Sequence, residues 1–375
     1  MKPFPLVWAE INLSALKNNV RIIREIVEKP SVEIMAIVKA DAYGHGMKPV
    51  AKFLAKQGIH FFGVANIEEA SELRKTCPHA KILVLGAFHP NQIPLYYKHR
   101  ILPTISCHED AMILECFMKG KRGEFHAHVK VDTGMGRLGV WHEKAPDFFQ
   151  SILTFKRLKV DGIYTHFFSA DKKEAIFTQL QIHRFNQTVC VASRYGFRPR
   201  YLHASNSMGL ARFKNAHPNL VRPGIALYGI SPHKDGEIPK GLQPVLTFKT
   251  RISFIKETGK DRTVSYGATY LTKNKTRIAT LPIGYSHGYR LGFSNKASVI
   301  IRGRKYPVVG RVTMDQTLVD IGRVSHIKRW DEVTLIGREN GVEVQAKDLA
   351  ELAETIPYEI ACAIHSRIPR IYKEF

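Results

Sequence analysis

The chain has 375 residues, a formal net charge of +23 and a hydrophobic content of 44%. This length is enough for two domains with a sizeable core, and the composition is ordinary for a globular protein. No apolar run reaches about 18 residues, which excludes a membrane-spanning helix. The five cysteines show neither metal nor disulfide spacing, and the proline-broken segment Met1–Glu10 is not a convincing signal peptide. We therefore expect a protein of the reducing cytoplasm.

The positive charge narrows the possible partners only slightly. A charge of this size attracts nucleic acid, anionic membranes and acidic small molecules. The sequence has no zinc-finger spacing and no RNP-type aromatic motif, and its lysines and arginines are spread along the whole chain. We therefore expect a solvated basic surface without a nucleic-acid or membrane partner, although the same field would attract a phosphate-bearing cofactor.

The first two thirds of the chain alternate short apolar runs with helical patterns. A strand-like opening, Leu6–Leu13, precedes a predicted helix, Ala15–Val27, which Asn12 or Ser14 would cap. Eight apolar runs follow: Val32–Lys39, Phe61–Asn66, Lys81–Gly86, Leu102–Ser106, Phe125–Asp132, Leu158–His166, Arg200–Ser205 and Leu220–Tyr228. Strand–helix alternation of this length predicts a closed (β/α)₈ TIM-type barrel. An open doubly wound sheet is the alternative, but the first unit has no G-x-G-x-x-G.

A segment rich in proline, glycine and charge, Ser231–Pro244, predicts a linker. Beyond it, Ala346–Thr355 is the only stretch with a helical pattern, and six segments are strand-like: Leu246–Glu257, Thr263–Thr272, Arg277–Ile283, Ala297–Ile301, Gln316–Ile321 and Glu332–Ile336. We predict an α/β protein with a barrel in residues 1–235 and a mostly-β domain in residues 236–375. Residues 1–13 are a candidate strand of that second domain.

The first apolar run ends on Lys39, at the predicted carboxyl end of a buried strand. Desolvation lowers the pKa of an amine, which makes this lysine a candidate nucleophile or Schiff-base former. The alternative is a lysine that extends its amine to solvent from a strand end. The turn that follows favours the first interpretation, because Gly44 and Gly46 let the backbone approach a ligand and Tyr43 adds a hydroxyl.

Other polar residues fall at the same predicted rim. In a (β/α)₈ barrel, functional groups gather at the carboxyl ends of the strands. The runs end at or near Asp132, Arg137, His166, His203, Asn206, Ser207 and Arg222. Phosphate oxygens would be bound by the hydroxyls of Tyr43 and Ser207 and by the backbone amides of Gly224 and Ile225. Arg222 can only donate hydrogen bonds, so a pyridine nitrogen opposite it would stay unprotonated.

Seven segments carry a resemblance to a known family. They are Ala36–Gly46, Val131–Gly139, Arg222–Gly229, Val264–Tyr270, Pro282–Tyr285, Gly310–Gln316 and Arg367–Arg370. In this order they resemble the bacterial alanine racemases, which are isomerases that combine a barrel with a β domain, and the resemblance runs from about Trp8 to Tyr372. It implies racemisation of alanine with pyridoxal 5'-phosphate, a supply of D-alanine for peptidoglycan, and no metal ion.

The resemblance also assigns the roles of individual residues. Lys39 would carry the cofactor as an aldimine and serve as the base on one face of the substrate Cα, and Tyr266 would be the acid/base on the other face. His166 and Arg222 would form a network that supports this tyrosine, because a free phenol has a pKa of about 10. The cofactor-binding residues would be Lys39, Tyr43, His166, Asn206, Ser207, Arg222, Gly224 and Ile225.

The implied enzyme is a homodimer with shared sites, in which Tyr266 reaches the Lys39 of the other subunit. Five residues would contact the substrate or narrow its entrance: Arg137, Met314, Asp315, Tyr285 and Tyr358. Four positions depart from the pattern of the family, with Asp41 for the common Asn, Thr313 for Cys, and Ser286-His287 for Ala-Asp. Lys130 matches a lysine that is carbamylated in some relatives, and a salt bridge or an anion contact is the alternative.

Three other functions remain alternatives. A non-catalytic cofactor-homeostasis protein would not need the second domain and its Tyr266. An amino-acid decarboxylase of this fold would be expected to place a carboxylate, not Arg222, at the ring nitrogen. A nucleic-acid binder is suggested by the charge alone, and salt-dependent binding of an oligonucleotide would be its signature.

Overall fold

The structure is a computed structural model that describes residues 5–172, 174–232 and 238–374. It begins with the strand Val7–Asn12 and the helix Leu13–Val27. The side chain of Asn12 accepts a hydrogen bond from the backbone amide of Ala15 over 2.8 Å, so Asn12 is the N-cap of this helix. None of the described helices combines the length and the apolar character that a bilayer crossing requires.

The described part of the next 200 residues contains eight strands that pair in parallel, each within one of the eight predicted apolar runs. They are Glu33–Ile37, Phe61–Val64, Lys81–Val84, Thr104–Ile105, Phe125–Asp132, Leu158–Tyr164, Tyr201–His203 and Leu220–Val221. The two halves of the ring meet at a parallel bridge between Leu83 and Leu102 and at the 3.0 Å hydrogen bond from the Arg222 amide to the Ser205 carbonyl. The strands therefore close in chain order, which confirms the barrel.

Helices connect these strands on the outside of the ring. They are Met47–Lys56, Ile67–Thr76, Ile93–Lys98, His108–Phe117, Ala145–Ser151, Ile176–Arg194 and Ser207–Arg212. A short strand, Val140–Trp141, also pairs with the fifth barrel strand. The prediction of strand as far as Tyr228 is wrong beyond Val221, because Pro223 has no amide to donate and Ile225–Tyr228 forms a 3₁₀ turn.

The remaining described strands form a mostly-β unit. One sheet has the order Arg304–Pro307, Ser298–Ile301, Glu332–Glu339, Leu246–Arg251, Val7–Asn12 and Arg370–Lys373, with Val342–Val344 paired to Glu332–Glu339. A second contains Phe254–Thr258, Thr276–Leu281 and Thr317–Asp320, and a hairpin joins Thr263–Val264 to Tyr270–Leu271. The predicted boundary between residues 235 and 236 and the centre of the predicted linker lie outside the described residues.

The second unit has more helix than the sequence predicts. Besides Ala346–Leu352 it contains Pro357–Cys362, so the prediction of a single helix there is wrong. This helix has only six residues, too few to show a periodic pattern. It packs against the turn that follows the first barrel strand, where a side chain at Gly44 would collide with the carbonyl oxygen of Ala361. The second unit therefore contacts the Lys39 region directly.

Candidate active site

The turn after the first barrel strand is left-handed. Ala40, Asp41, Ala42 and Tyr43 all have φ between 52° and 55°. Each such residue costs about 1–2 kcal/mol relative to the right-handed conformation, so tertiary contacts must hold the turn. The carboxylate of Glu69 accepts a hydrogen bond of 2.7 Å from the Ala40 amide.

The Asp41 side chain supports the same turn from its other end. It accepts a 2.7 Å hydrogen bond from the amide of Met47, the first residue of the following helix. The carbonyl of Gly44 accepts from the Arg370 guanidinium at 3.1 Å, and the carbonyl of His45 accepts from the Tyr372 hydroxyl at 3.1 Å. The two helices that follow the turn and the last described strand therefore fix the backbone next to Lys39 together.

Lys39 lines a cavity of about 450 Å³ at the carboxyl ends of the barrel strands. Burial and the charge of Arg137 lower the pKa of its amine. Ten of the predicted site residues line this cavity: Lys39, Tyr43, Arg137, His166, Asn206, Ser207, Arg222, Gly224, Ile225 and Tyr358. The barrel therefore brings Lys39 and Ile225 to the same cavity, although they are 186 positions apart in the sequence.

One end of the cavity is built to bind an anion. The Ser207 hydroxyl oxygen accepts hydrogen bonds from the amides of Gly224 at 2.9 Å and Ala226 at 3.2 Å. Because both acceptor positions of this oxygen are used, its own proton is free to be donated to a ligand. The Ile225 amide between them makes no hydrogen bond to another described residue. A side chain at Gly224 would collide with the Tyr43 hydroxyl, so glycine keeps this end open.

Asn206 also has a structural role next to the anion-binding end of the cavity. Its side-chain oxygen accepts a 2.9 Å hydrogen bond from the Gly209 amide and caps the helix Ser207–Arg212. Its side-chain nitrogen donates to the Phe167 carbonyl at 3.1 Å. Asn206 therefore lines the cavity and also fixes the position of Ser207.

Arg222 is buried in the floor of the cavity. Its Nη2 donates to the carbonyls of Thr165 at 2.7 Å and Ala204 at 2.9 Å. No carboxylate within the described ranges forms an ion pair with it. Burial lowers the pKa of this guanidinium to about 10. It therefore stays a cation at neutral pH, and it can give hydrogen bonds but not accept them.

His166 contacts the same guanidinium. Its Nδ1 lies 3.5 Å from Nη2 of Arg222. Nη2 already donates its two protons to the carbonyls of Thr165 and Ala204, so this longer contact can only be a weak, shared hydrogen bond. Burial and the Arg222 charge lower the pKa of His166 well below its usual value, so the ring is neutral at physiological pH.

Two further side chains in the cavity were given no cofactor or substrate role by the sequence analysis. Tyr164 stacks on His203, with ring centroids 4.7 Å apart, and its hydroxyl lies 2.9 Å from that of Thr104. Lys130 is buried, and burial with the charges of Arg137 and Arg222 lowers its pKa to about 8. Tyr164 was not predicted, although its position at the end of the strand Leu158–Tyr164 is a signal that could have found it; carbamylation of Lys130 stays a prediction.

Tyr266 lies outside the cavity that Lys39 lines, and it is 73% exposed. A strained turn presents it, because Ser265 and Ala268 both have positive φ, at 67° and 48°. The Ser265 hydroxyl donates to the Arg311 carbonyl at 2.6 Å and holds the turn. One chain therefore does not bring the two predicted acid/base groups together.

An exposed cluster in the second domain contains three more predicted substrate residues, Tyr285, Met314 and Asp315. The amide of Tyr285 donates to the Thr313 carbonyl at 3.1 Å, and the amide of Ser286 donates to the Met314 carbonyl at 3.0 Å. The Ser286 hydroxyl donates to Asp315 at 2.8 Å. Tyr285 is 48% and Met314 is 55% exposed. These side chains are available to a second molecule and do not line the cavity of their own chain.

No group of three or more His, Cys, Asp or Glu side chains in the described ranges is arranged to hold a metal ion. The acid/base and anion-binding groups of the cavity come from the carboxyl rim of the barrel, with Tyr358 added from the second unit.

Comparisons with known proteins agree along the whole chain. The family model of the alanine racemase N-terminal domain matches residues 11–232, and that of the C-terminal domain matches residues 245–372. The alanine racemase of Halothermothrix orenii is 42% identical over 366 residues, covering 98% of this chain and 96% of the relative. That of Carboxydothermus hydrogenoformans is 38% identical over 369 residues, covering 98% and 99%.

Solved structures agree with the same assignment. The alanine racemase of Bacillus anthracis with bound L-Ala-P has a TM-score of 0.93 at 34% identity, covering 100% of this chain and 96% of that chain. The alanine racemase of Bartonella henselae with covalently bound pyridoxal phosphate has a TM-score of 0.89 at 28% identity, covering 99% and 100%. Over both domains, the chain belongs to the alanine racemase family.

Proposed function

We propose that this chain interconverts L-alanine and D-alanine with pyridoxal 5'-phosphate as its cofactor, and that it supplies D-alanine for peptidoglycan in the cytoplasm. The observation that carries the proposal is one cavity of about 450 Å³ that unites a desolvated amine, an anion-binding turn and a buried guanidinium. The division into a barrel of residues 1–235 and a β domain of residues 236–375 is part of the same proposal.

The cavity fits the cofactor at three points. The phosphate would be held by the hydroxyls of Ser207 and Tyr43 and by the Ile225 amide. These donors lie around Gly224, where the absence of a side chain leaves room for an anion. Arg222 would face the ring nitrogen, and Lys39 would bind the aldehyde carbon through its amine. When bound, the cofactor withdraws electrons from the substrate Cα and acidifies its hydrogen.

Lys39 then handles the proton on one face of Cα. Its lowered pKa increases the neutral fraction of the amine near physiological pH, and only the neutral amine can accept a proton. On the opposite face, the phenol of Tyr266 would donate or accept. It needs positive surroundings to act as a base, and the Arg222–His166 contact supplies a buried cation for that network.

Arg222 also argues against the alternatives. As a permanent donor, Arg222 would leave the ring nitrogen of a bound cofactor without a proton, which would limit electron withdrawal and restrain side reactions such as transamination. A decarboxylase of this fold would be expected to have a carboxylate there, and no carboxylate in the described ranges pairs with Arg222. A cofactor-homeostasis protein would have no need of the second acid/base group.

We propose that the working form is a homodimer. Tyr266, Tyr285, Met314 and Asp315 are exposed in one chain, so a complete site requires these residues from a second copy. Arg137 would bind the substrate carboxylate together with the second copy's Met314 and Asp315. Tyr358, whose ring lies 6.0 Å from that of Tyr43, would narrow the entrance with Tyr285 and favour a methyl side chain.

The central experiment follows the proton at Cα. In deuterated water, L-alanine should become D-alanine with deuterium at Cα, because each inversion exchanges the proton with an enzyme group. Release of carbon dioxide instead would select the decarboxylase. Tyr266→Phe should lose racemisation in both directions while it keeps the cofactor, and near-normal activity would remove Tyr266 from the mechanism.

Borohydride reduction of the loaded enzyme, followed by peptide mapping, tests the lysine. The cofactor should be fixed to Lys39, and fixation to Lys130, the other buried lysine of the cavity, would overturn the assignment.

Mixing two inactive variants tests whether the sites are shared. Lys39→Ala and Tyr266→Phe chains, dissociated and reassembled in equal amounts, form mixed dimers in which one of the two sites is intact. Random assembly should restore about a quarter of the wild-type activity. If each chain built its own site, no activity would return.

A further inference from the structure

A second cavity, larger than the one that Lys39 lines, lies at the opposite end of the barrel from the candidate active site. It has a volume of about 1090 Å³, and the amino ends of the strands Lys81–Val84, Phe125–Asp132 and Tyr201–His203 form part of its wall. The length of a barrel strand, roughly 20 Å, separates the two ends. A ligand here would therefore be independent of the racemase chemistry and of the proposed dimer.

The wall of this cavity is strongly cationic. Two carboxylates line it, Glu124 and Asp161, and Asp161 already pairs with His126 at 2.8 Å. Against them stand six lysine and arginine side chains: Arg74, Lys81, Lys98, Arg100, Arg122 and Arg200. The cavity wall therefore carries more cations than carboxylates, although it holds only a small part of the chain's positive charge.

Some of these cations have partners inside the protein. Lys81 lies 3.3 Å and Arg200 3.8 Å from Glu33. Arg74 donates to the carbonyls of His99 at 2.9 Å and Ala80 at 2.7 Å, among others, so it ties two loops together. Its role is structural, in the manner of a basic residue near the end of a helix.

The other three cations have no such role. Lys98, Arg100 and Arg122 are exposed, and none of them forms an ion pair with any carboxylate in the ranges that the structure describes. Burial and the charge of Arg100 lower the pKa of Arg74, so these two guanidiniums are close enough to repel each other. An anion in the cavity would relieve that repulsion.

A flat aromatic surface lies beside the cations. Tyr97 is 42% exposed, and its ring contacts those of Phe117 and Phe125, with centroids 5.6 and 6.0 Å away. A tyrosine ring that is held by two neighbours and partly exposed can stack a planar heterocycle.

We propose that this cavity binds a nucleoside di- or triphosphate, with its phosphates on Arg100 and Arg122 and its base on Tyr97. A polyphosphate chain matches the guanidiniums of Arg100 and Arg122, because one guanidinium can bind two phosphate oxygens at once. A single phosphate would leave most of the positive wall without a partner, and a cation has no favourable place there.

The test uses the cofactor-loaded enzyme, so that the anion-binding turn at Ser207 is filled. Isothermal titration at physiological salt measures two probes, ATP and inorganic tripolyphosphate. Both should bind saturably, and ATP should bind more tightly because only ATP has a base. Arg100→Ala with Arg122→Ala should weaken ATP binding about tenfold or more, since two charged hydrogen-bonding groups are lost.

The matched control is Arg304→Ala with Lys305→Ala, which removes the same charge from an exposed strand of the second unit. It should change ATP binding less than twofold. Equal losses in the two double variants would show general charge attraction and overturn the proposal, as would the absence of saturable binding. Tyr97→Ala should weaken ATP but leave tripolyphosphate unchanged; equal effects on both would overturn the nucleotide assignment.

Two further measurements separate this proposal from its alternatives. An oligonucleotide that binds more tightly than ATP, with a steep salt dependence, would replace the nucleotide with nucleic acid as the ligand. Racemisation by the three variants should equal that of the wild type, which shows that they fold. If neither the wild type nor any variant racemises alanine, the proposed function is wrong. The binding measurements would still decide the nucleotide proposal, because they do not depend on racemisation.

Discussion

Arg222 donates a hydrogen bond from Nη1 to Nδ1 of His203 over 2.8 Å, and Nε2 of His203 lies 2.9 Å from Nδ1 of His128. Because a guanidinium cannot accept, Nδ1 of His203 carries no proton and its Nε2 is the donor to His128. Burial lowers the pKa of His203 well below its usual value and that of His128 to about 3. Two neutral imidazoles thus orient a buried cation.

This orientation can be tested at His203. His203→Leu leaves a buried guanidinium N–H without an acceptor, which should lower the free energy of unfolding by about 1–3 kcal/mol. His203→Asn keeps an acceptor near the position of Nδ1 and should recover at least half of the loss. Urea unfolding of the cofactor-free protein measures both, and equal losses would show that the hydrogen bond does not matter.

Gly44 tests the contact between the two parts of the chain. Its φ is +80°, and an added methyl group would collide with the Ala361 carbonyl oxygen. Gly44→Ala should therefore destabilise the protein by about 3 kcal/mol or more, from backbone strain and overpacking together. Gly120→Ala is the matched control, because its φ is +74° but nothing lies within 4 Å. It should cost about 1 kcal/mol, and similar losses in a chemical unfolding experiment would exclude the collision.

The buried amine of Lys130 predicts a pH dependence of stability. Its pKa is about 8 in the folded chain and about 10.4 in an unfolded one. Between these values the unfolded chain binds more protons, so the stability rises with pH. Between about pH 8 and 9.5, the free energy of unfolding of the wild type should rise by about 2 kcal/mol relative to that of Lys130→Met. Lys305→Met, at an exposed position, should track the wild type, and parallel curves for all three proteins would refute the assignment.

Ser286 stands where the family commonly has alanine, and its hydroxyl holds Asp315 at 2.8 Å. If Asp315 contacts the substrate as proposed, Ser286→Ala should raise the KM for alanine about fivefold through loss of one charged hydrogen bond, with kcat almost unchanged. Ser286→Thr keeps the hydroxyl and should behave like the wild type. Steady-state racemisation decides, and equal KM values in the two variants would contradict this role.

The sequence predicts the barrel well because parallel strands are buried on both faces. Such strands appear as short, mostly apolar runs, and each of the eight described barrel strands lies within one. The cap at Asn12 is equally local, since it depends on one side chain and an amide three residues away. Ten of the predicted site residues meet in one cavity for the same reason, since the carboxyl ends of neighbouring strands share a rim.

What the sequence does not predict depends on distant contacts. Nothing in Ala40–Tyr43 favours a left-handed turn, and Glu69 and the second unit hold it in place. The predicted strand Thr263–Thr272 is interrupted by the turn at Tyr266–Ala268, where Ala268 and the preceding Ser265 adopt positive φ. Tyr266 lies outside the cavity of its own chain, so its proposed place in the site would require the proposed homodimer, which the contacts within one chain do not encode.

The parallel pairing of Val7–Asn12 with Arg370–Lys373 has a consequence for biosynthesis. Arg370 and Tyr372, which brace the backbone after Lys39, bond to residues 326 and 327 positions earlier in the chain. During translation the barrel strands are therefore synthesised long before the two side chains that hold this turn. A nascent chain that stops before residue 370 would lack both of these contacts.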